Sequence, residues 1–361
     1  MATKLHRKKP AWLFTFIFAY LAILAALTIL NRLGADRLWF GALNLYLPQV
    51  VWALPGILLA ALTFKVARRW TWLPLLGIAW VLGPLMGFCW PLNTPSASSG
   101  NVPLRIMTWN VKYERHDNLS HLALRYEIER CNPTVVLLQE AQGLLNGPLG
   151  DYFSTWNVRS SGQYIIASRM PLGELRVIPI PFPGEGSTCP GIKHTCLRTQ
   201  LRIGGTVVVL YNVHFETPRW GLNAFRAVTR NPLNLPKAMQ QLEHNVAARL
   251  AQVQTLRENV RQEQRPVIVA GDLNSPDSSL VCKTLRALDF HDAFAEGGKG
   301  YGYTYGHDLL KHRVPTLNLS WMRIDHIMMS SRLQSRDCWT GTGKASDHRP
   351  VIADLVLVQT Q

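Results

Sequence analysis

Apolar positions are continuous rather than periodic over the first ninety residues. The stretches 11–30, 38–64 and 70–92 carry almost no charge. Each reaches the roughly 20 residues that a helix needs to cross a hydrocarbon core. Trp12, Trp39, Trp70, Trp72 and Trp90 stand near their ends, where amphipathic rings prefer the membrane interface. Pro48, Pro55, Pro74 and Pro84 interrupt them, which membrane helices tolerate when neighbouring groups satisfy the freed carbonyls. The pattern predicts three transmembrane helices. The first run is longer than the about 7–15 residues of a signal-peptide core and no small-x-small cleavage site follows, so it reads as an anchor.

Beyond residue 101 the pattern changes to short β-rich runs at 104–109, 134–138, 164–167, 206–213, 267–270, 324–328 and 351–357. Most are almost wholly apolar, as expected of strands in a sheet covered on both faces. Leu242, Val246, Leu250, Val253, Leu256 and Val260 recur at spacings of three and four and predict an amphipathic helix. The chain therefore divides into a membrane anchor over 1–92, a flexible linker N-T-P-S-A-S-S-G-N over 93–101, and one soluble α/β domain over 102–361.

Charge adds direction to this picture. The basic segment M-A-T-K-L-H-R-K-K-P precedes the first apolar run and K-V-A-R-R separates the second from the third. Both are expected to face the cytoplasm, which puts the N-terminus inside and, after an odd number of spans, the soluble domain on the outer side of an inner or plasma membrane. The formal charge of the whole chain is +15. The excess persists in the soluble domain and favours an anionic partner, nucleic acid or phospholipid head groups. No protein partner is inferable. Cys189 and Cys196 flank a short Pro-Gly stretch that a disulfide would close in an oxidising compartment.

Polar residues gather where the predicted strands end. Asn110 follows the first in T-W-N-V, Glu140 the second in L-L-Q-E, and His214 closes Y-N-V-H. Asp272 and Asn274 follow in G-D-L-N, Asp325 in R-I-D-H, and Asp347 and His348 in S-D-H-R-P. Strand ends open the crevices in which α/β proteins hold ligands. Four converging carboxylates repel one another and any anionic substrate by about 4 kcal/mol per pair at 4 Å and an effective dielectric near 20. A hard divalent cation on oxygen ligands, Mg²⁺ or Mn²⁺, offsets that repulsion. With histidines nearby and a carboxylate to activate water, the set suits hydrolysis of a phosphate ester.

In its order and chemical types the set resembles the endonuclease/exonuclease/phosphatase superfamily, which includes deoxyribonuclease I, abasic-site endonucleases, neutral sphingomyelinases and inositol-polyphosphate phosphatases. The resemblance spans about 104–357. It implies a four-layer α/β sandwich, two packed β-sheets flanked by helices. It makes Glu140 the principal metal ligand, with Asn110 beside it and Asp347 supporting the metal region. Asp272 becomes the base for the attacking water and Asn274 orients it. His214 contacts the scissile phosphate, and Asp325 pairs with His348, which stabilises the transition state or assists the leaving group.

Departures from subfamily signatures narrow the substrate. Gln142 stands where abasic-site endonucleases carry a lysine, and the inositol-phosphatase motifs are missing. A deoxyribonuclease-like nuclease is the first expectation, because the outer domain is basic. A sphingomyelinase-type lipid phosphodiesterase is the second, and a non-catalytic membrane-tethered scaffold is the alternative of a different class. Arg219, Arg226 and Arg230 could meet phosphates while Trp220 stacks on a base. The segment G-Y-G-Y-T-Y ending at Tyr305 is a second candidate substrate loop, and Tyr164 lies where some nucleases place a phosphate contact.

Overall fold

The computed structural model describes residues 11–91, 104–112, 118–181, 195–307 and 319–358. In chain order the elements are α1 (Ala11–Leu33), α2 (Trp39–Tyr46), α3 (Ala53–Val66), α4 (Trp72–Trp80), β1 (Leu104–Asn110), α5 (Asn118–Cys131), β2 (Val135–Gln139), α6 (Pro148–Tyr152), β3 (Asn157–Ser161), β4 (Tyr164–Ser168), β5 (Arg176–Pro179), β6 (Thr195–Ile203), β7 (Thr206–His214), α7 (Arg219–Val228), α8 (Leu235–Val260), β8 (Val267–Asp272), α9 (Leu280–Arg286), β9 (Phe290–Asp292), α10 (Ala293–Gly297), β10 (Asp325–Ser330), β11 (Leu333–Thr340) and β12 (Val351–Leu357).

The strands form two six-stranded sheets, ordered β11-β12-β1-β2-β4-β3 and β5-β6-β7-β8-β10-β9. Strand alternation builds the layers. On β1, Leu104 and Ile106 enter the core between the sheets with Leu137, Leu210, Ile268 and Ile327. Met107 and Trp109, one residue out of phase, pack outward against Leu124 and Ile128 of α5. Val209, Tyr211 and Val269 of the second sheet likewise meet Val253 and Leu256 of α8. Because both faces are covered, the central strands lack the polar alternation of a half-exposed sheet. The expected four-layer sandwich is the result.

In each sheet one pair is parallel, β1 with β2 and β7 with β8, and the remaining pairs are antiparallel. The C-terminal ends of β1, β2, β7 and β8 therefore open at the same edge as the N-terminal ends of β10 and β12. Below that edge a buried polar bridge ties the sheets together. Gln139 Nε2 donates to Asn212 Oδ1 at 2.7 Å and to Thr108 Oγ1 at 3.0 Å, while Asn212 Nδ2 donates to the Leu138 carbonyl at 3.0 Å.

The apolar N-terminal region departs from the expected three uniform spans. Among the described residues, two helices are long and apolar enough to cross a membrane, Ala11–Leu33 and Gln49–Val66. The predicted run 38–64 breaks at Pro48, whose ring and missing N–H end α2 and start a new helix. The third run is helical only through α4 and a π turn at Val81–Leu85, nine and five residues, about 21 Å in all at helical rise. Cys89 then pairs its backbone with Gly300. α1, α3 and α4 pack together through Leu13, Ile17, Tyr20, Leu59 and Leu73. They leave Phe16, Phe18, Leu54, Leu58 and Trp72 exposed, an apolar exterior suited to lipid rather than water.

α2 belongs to neither span. Trp39 stacks on Phe225 of α7, ring centroids 6.1 Å apart, and Ala42 is buried against Leu242 and Val246 of α8. Asp36 accepts the Leu280 N–H at 2.8 Å, at the start of α9. Tyr301 and Tyr303 hydroxyls donate to the carbonyls of Leu82 and Met86. The N-terminal region thus makes direct contact with the sandwich. The linker 93–101, and Cys189 of the expected disulfide, lie outside the described residues, while Cys196 is buried.

Candidate active site

Asp272 is the hub of the strand-end residues. It ends β8 directly opposite His214 of β7 and Asp325 of β10 in the pairing register, so three functional side chains form one row across the sheet. Gly271 makes that row possible. Its φ is +149°, and a Cβ there would lie 1.9 Å from the Val213 carbonyl. The side chain of Asp272 is fixed on both oxygens: Oδ1 accepts the Asn274 N–H at 2.8 Å, and Oδ2 accepts Asn110 Nδ2 at 3.1 Å and Asn274 Nδ2 at 3.2 Å.

Asn110 reaches across from the first sheet and also donates to Glu140 Oε1 at 3.0 Å. Glu140 stands at the rim, its side chain 34% exposed. His214 presents Nε2 to Glu140 Oε1 at 3.7 Å and to Asp272 Oδ2 at 3.6 Å. Its other nitrogen is fixed by Gln163 Oε1 at 2.7 Å. His348 meets Asp325 Oδ2 through Nδ1 at 2.9 Å, and its Nε2 is 3.8 Å from Asp272 Oδ2. Asp347 is ion-paired to Lys112 Nζ at 2.6 Å. All eight sequence-derived candidates therefore converge on one end of the sandwich.

Three of these loop residues hold positive φ, Lys112 at 50°, Glu140 at 50° and Asn274 at 48°. Non-glycine residues adopt that region at a cost, and such residues cluster where the surrounding structure imposes a functional geometry. Electrostatics point the same way. Burial, then Asp325, push the Asp272 carboxyl up to about 6, while His348, His214 and Asn110 act to lower it. For His348 burial opposes the charge, but Asp325 and Asp272 outweigh it and raise the imidazole to about 10. Asp325 and Asp272 thus favour the imidazolium form of His348.

The donor set fits a hard divalent cation. Asp272, Asp325 and His348 place ligand atoms within 4.8 Å of one another, and Glu140 and Asn110 add side-chain oxygens at the rim beside them. Burial first, and Asp325 second, oppose the charged form of Asp272, and a neighbouring cation would favour it. A second acidic group, Asp277, Asp292 and His326, has a different character. Arg323 donates to Asp292 at 2.6 Å and to Asp277 at 2.7 Å, and His326 Nδ1 meets Asp292 at 2.7 Å. The chain supplies its own cations there, in keeping with a structural His326.

Residues that short motifs could not single out complete the surroundings. Tyr305 packs its ring on His348 at 4.7 Å. Arg219, at the start of α7, lies beside Tyr305 in the field of Asp347 and Glu140. Arg219 and Tyr305 thus lie beside the strand-end residues, whereas Arg226 and Trp220 are exposed on α7. Tyr164 is a correction: it is buried, and its hydroxyl donates to the Thr195 carbonyl at 2.6 Å, a link within the fold. Gln163 and Lys112 stand in loops, where no periodicity or motif marks them.

No curated protein matches the chain. Among solved structures, truncated TDP2 from Caenorhabditis elegans is 21% identical with a TM-score of 0.51, over 71% of this chain and 98% of that one. An endonuclease/exonuclease/phosphatase family protein from Bacteroides thetaiotaomicron is 13% identical with a TM-score of 0.53, over 72% and 99%. At such identities the likeness concerns the fold. The sequence model of the Endonuclease/Exonuclease/phosphatase family matches residues 107–348, about two thirds of the chain and every strand-end residue described above. The chain belongs to the endonuclease/exonuclease/phosphatase family.

Proposed function

We propose that this chain is a membrane-held, divalent-metal-dependent phosphodiester hydrolase. The observation that carries the reading is the row His214–Asp272–Asp325 with Asn110, Glu140 and His348 closed around it. Family members depend on a divalent metal; here Glu140, Asn110 and Asp347 would hold it, and when bound it supplies positive charge to the phosphoryl oxygens. Asp272, held by Asn110 and Asn274, takes the proton from the attacking water. His214 Nε2, its ring set by Gln163, donates to the phosphoryl oxygen. His348, kept protonated by Asp325, stabilises charge on the phosphate or the departing oxygen.

Two substrate classes fit this chemistry. The basic surface and Arg219 at the mouth favour nucleic acid. A phospholipid head group is favoured by a separate observation: α2, continuous with the apolar helices, packs on α7, the helix that carries Arg219. Full-length protein assayed on DNA, RNA and sphingomyelin vesicles, with Mg²⁺ or Mn²⁺ and with chelator, distinguishes them. Turnover is expected only with metal, and Asp272→Asn and His214→Ala are each expected to lower it at least 100-fold. Folded variants that retain turnover overturn the assigned roles.

A further inference from the structure

One contact reaches the catalytic turn from outside the stretch that matches the family. Tyr46, the last residue of α2, donates its hydroxyl to the backbone carbonyl of Asn274 at 2.9 Å in a buried setting. Asn274 is the residue at positive φ whose N–H and side chain hold both oxygens of Asp272. The tyrosine is itself fixed: the Trp321 indole donates to its carbonyl at 3.2 Å, and the buried Arg249 guanidinium lies 5.9 Å from its ring centroid. Arg249 in turn donates to the Glu216 carbonyl, two residues after His214, and to Asn245 Oδ1. Tyr46 packs with Met322 and Ile324, the latter next to Asp325, and the Ile324 carbonyl accepts the Leu273 N–H at 3.0 Å.

We infer that Tyr46 is a positioning residue for Asp272, so that the apolar N-terminal region supplies part of the active site rather than only a tether. This rests on the hydrolase reading above. The Asn274 carbonyl faces Tyr46 while its N–H and side-chain amide face Asp272, and with the tyrosine hydroxyl removed the turn keeps its hydrogen bonds to Asp272 but loses the anchor that holds it in the left-handed region. Asp272 then samples orientations in which it does not face the water. Glu140 and the substrate contacts at His214 and Arg219 are untouched, so the loss falls on kcat.

The test is Tyr46→Phe in the full-length protein in detergent, assayed on bis(p-nitrophenyl) phosphate with Mn²⁺, beside wild type and Asp272→Asn. Phenylalanine keeps the ring packing and removes only the hydroxyl. The expected result is a kcat about tenfold lower with KM unchanged, a split that general loosening would not give. Wild-type kcat in Tyr46→Phe, with Asp272→Asn inactive, overturns the inference and leaves the hydrolase reading standing. Turnover by Asp272→Asn removes both. Should Tyr46→Phe not fold, Trp321→Phe, which frees the Tyr46 carbonyl without touching the turn, is expected to lower kcat in the same direction, and an unchanged kcat there overturns the inference.

Discussion

At the scale of single residues, the two buried histidines paired with aspartates of β9 and β10 show how similar chemistry serves different ends. His348 faces Asp325 and the open edge, while His326 is enclosed by Asp292, the Ser275 carbonyl and Arg323. Burial works against the charge of His326, but Cys282 and Asp292 outweigh it and raise it to about 10, and Asp292 is held below the usual carboxylate range by Arg323 and His326 despite its burial. A raised folded-state value contributes stability that is full below the unfolded value, about 6.5, and is lost as pH rises through about 10; a depressed carboxylate contributes above about 4 and loses its share as pH falls. The melting temperature is therefore expected to decline between pH 7 and 10, and His326→Gln to flatten that decline while lowering stability near pH 6. A pH series of thermal melts reads both. The strand-end residues of the site were legible in the sequence because each adjoins a strong strand signal, at the end of β1, β2, β7 or β8 or at the start of β10 or β12. Lys112, Gln163 and Tyr46 were not, because their roles come from contacts between distant segments.

At the scale of elements, legibility follows position in the sheet. β1, β2, β4, β7, β8, β10 and β12 are interior strands with neighbours on both sides, and their apolar runs announced them. β3, β5, β9 and β11 are the four sheet edges. β3 reads N-V-R-S-S and β5 R-V-I-P, both largely solvent-facing, so their sequences carry little burial signal. β6 is interior but alternates polar and apolar residues, and its pattern is weaker than that of a fully covered strand. Helix α2 was misread for the opposite reason: its apolar residues read as part of a lipid-facing run, although part of its surface is covered by protein. Ala42 is 1% exposed between α2 and α8. Ala42→Arg is expected to lift α2 from α8, lower the melting temperature of the full-length protein by several degrees, and open the segment 34–48 to limited proteolysis. An unchanged cleavage pattern would contradict the packing.

For the whole molecule, the apolar N-terminal region and the sandwich share packed surfaces. Leu242, Val246, Met322 and Ile324 are covered from the N-terminal side, and Tyr301 and Tyr303 lean on the end of the third apolar stretch. A fragment beginning near Gly100 is expected to bind a dye for exposed apolar surface, to melt earlier than the intact chain, and to turn over more slowly; size-exclusion chromatography with the phosphodiesterase assay checks this. The row His214–Asp272–Asp325 carries one more consequence. These side chains meet only because β7, β8 and β10 pair in a single register, and a slip of one residue would turn each to the opposite face of its strand. Activity recovered after unfolding is thus a count of correctly paired sheets, and it should return later than the helical signal, since strands so distant in the chain find one another slowly.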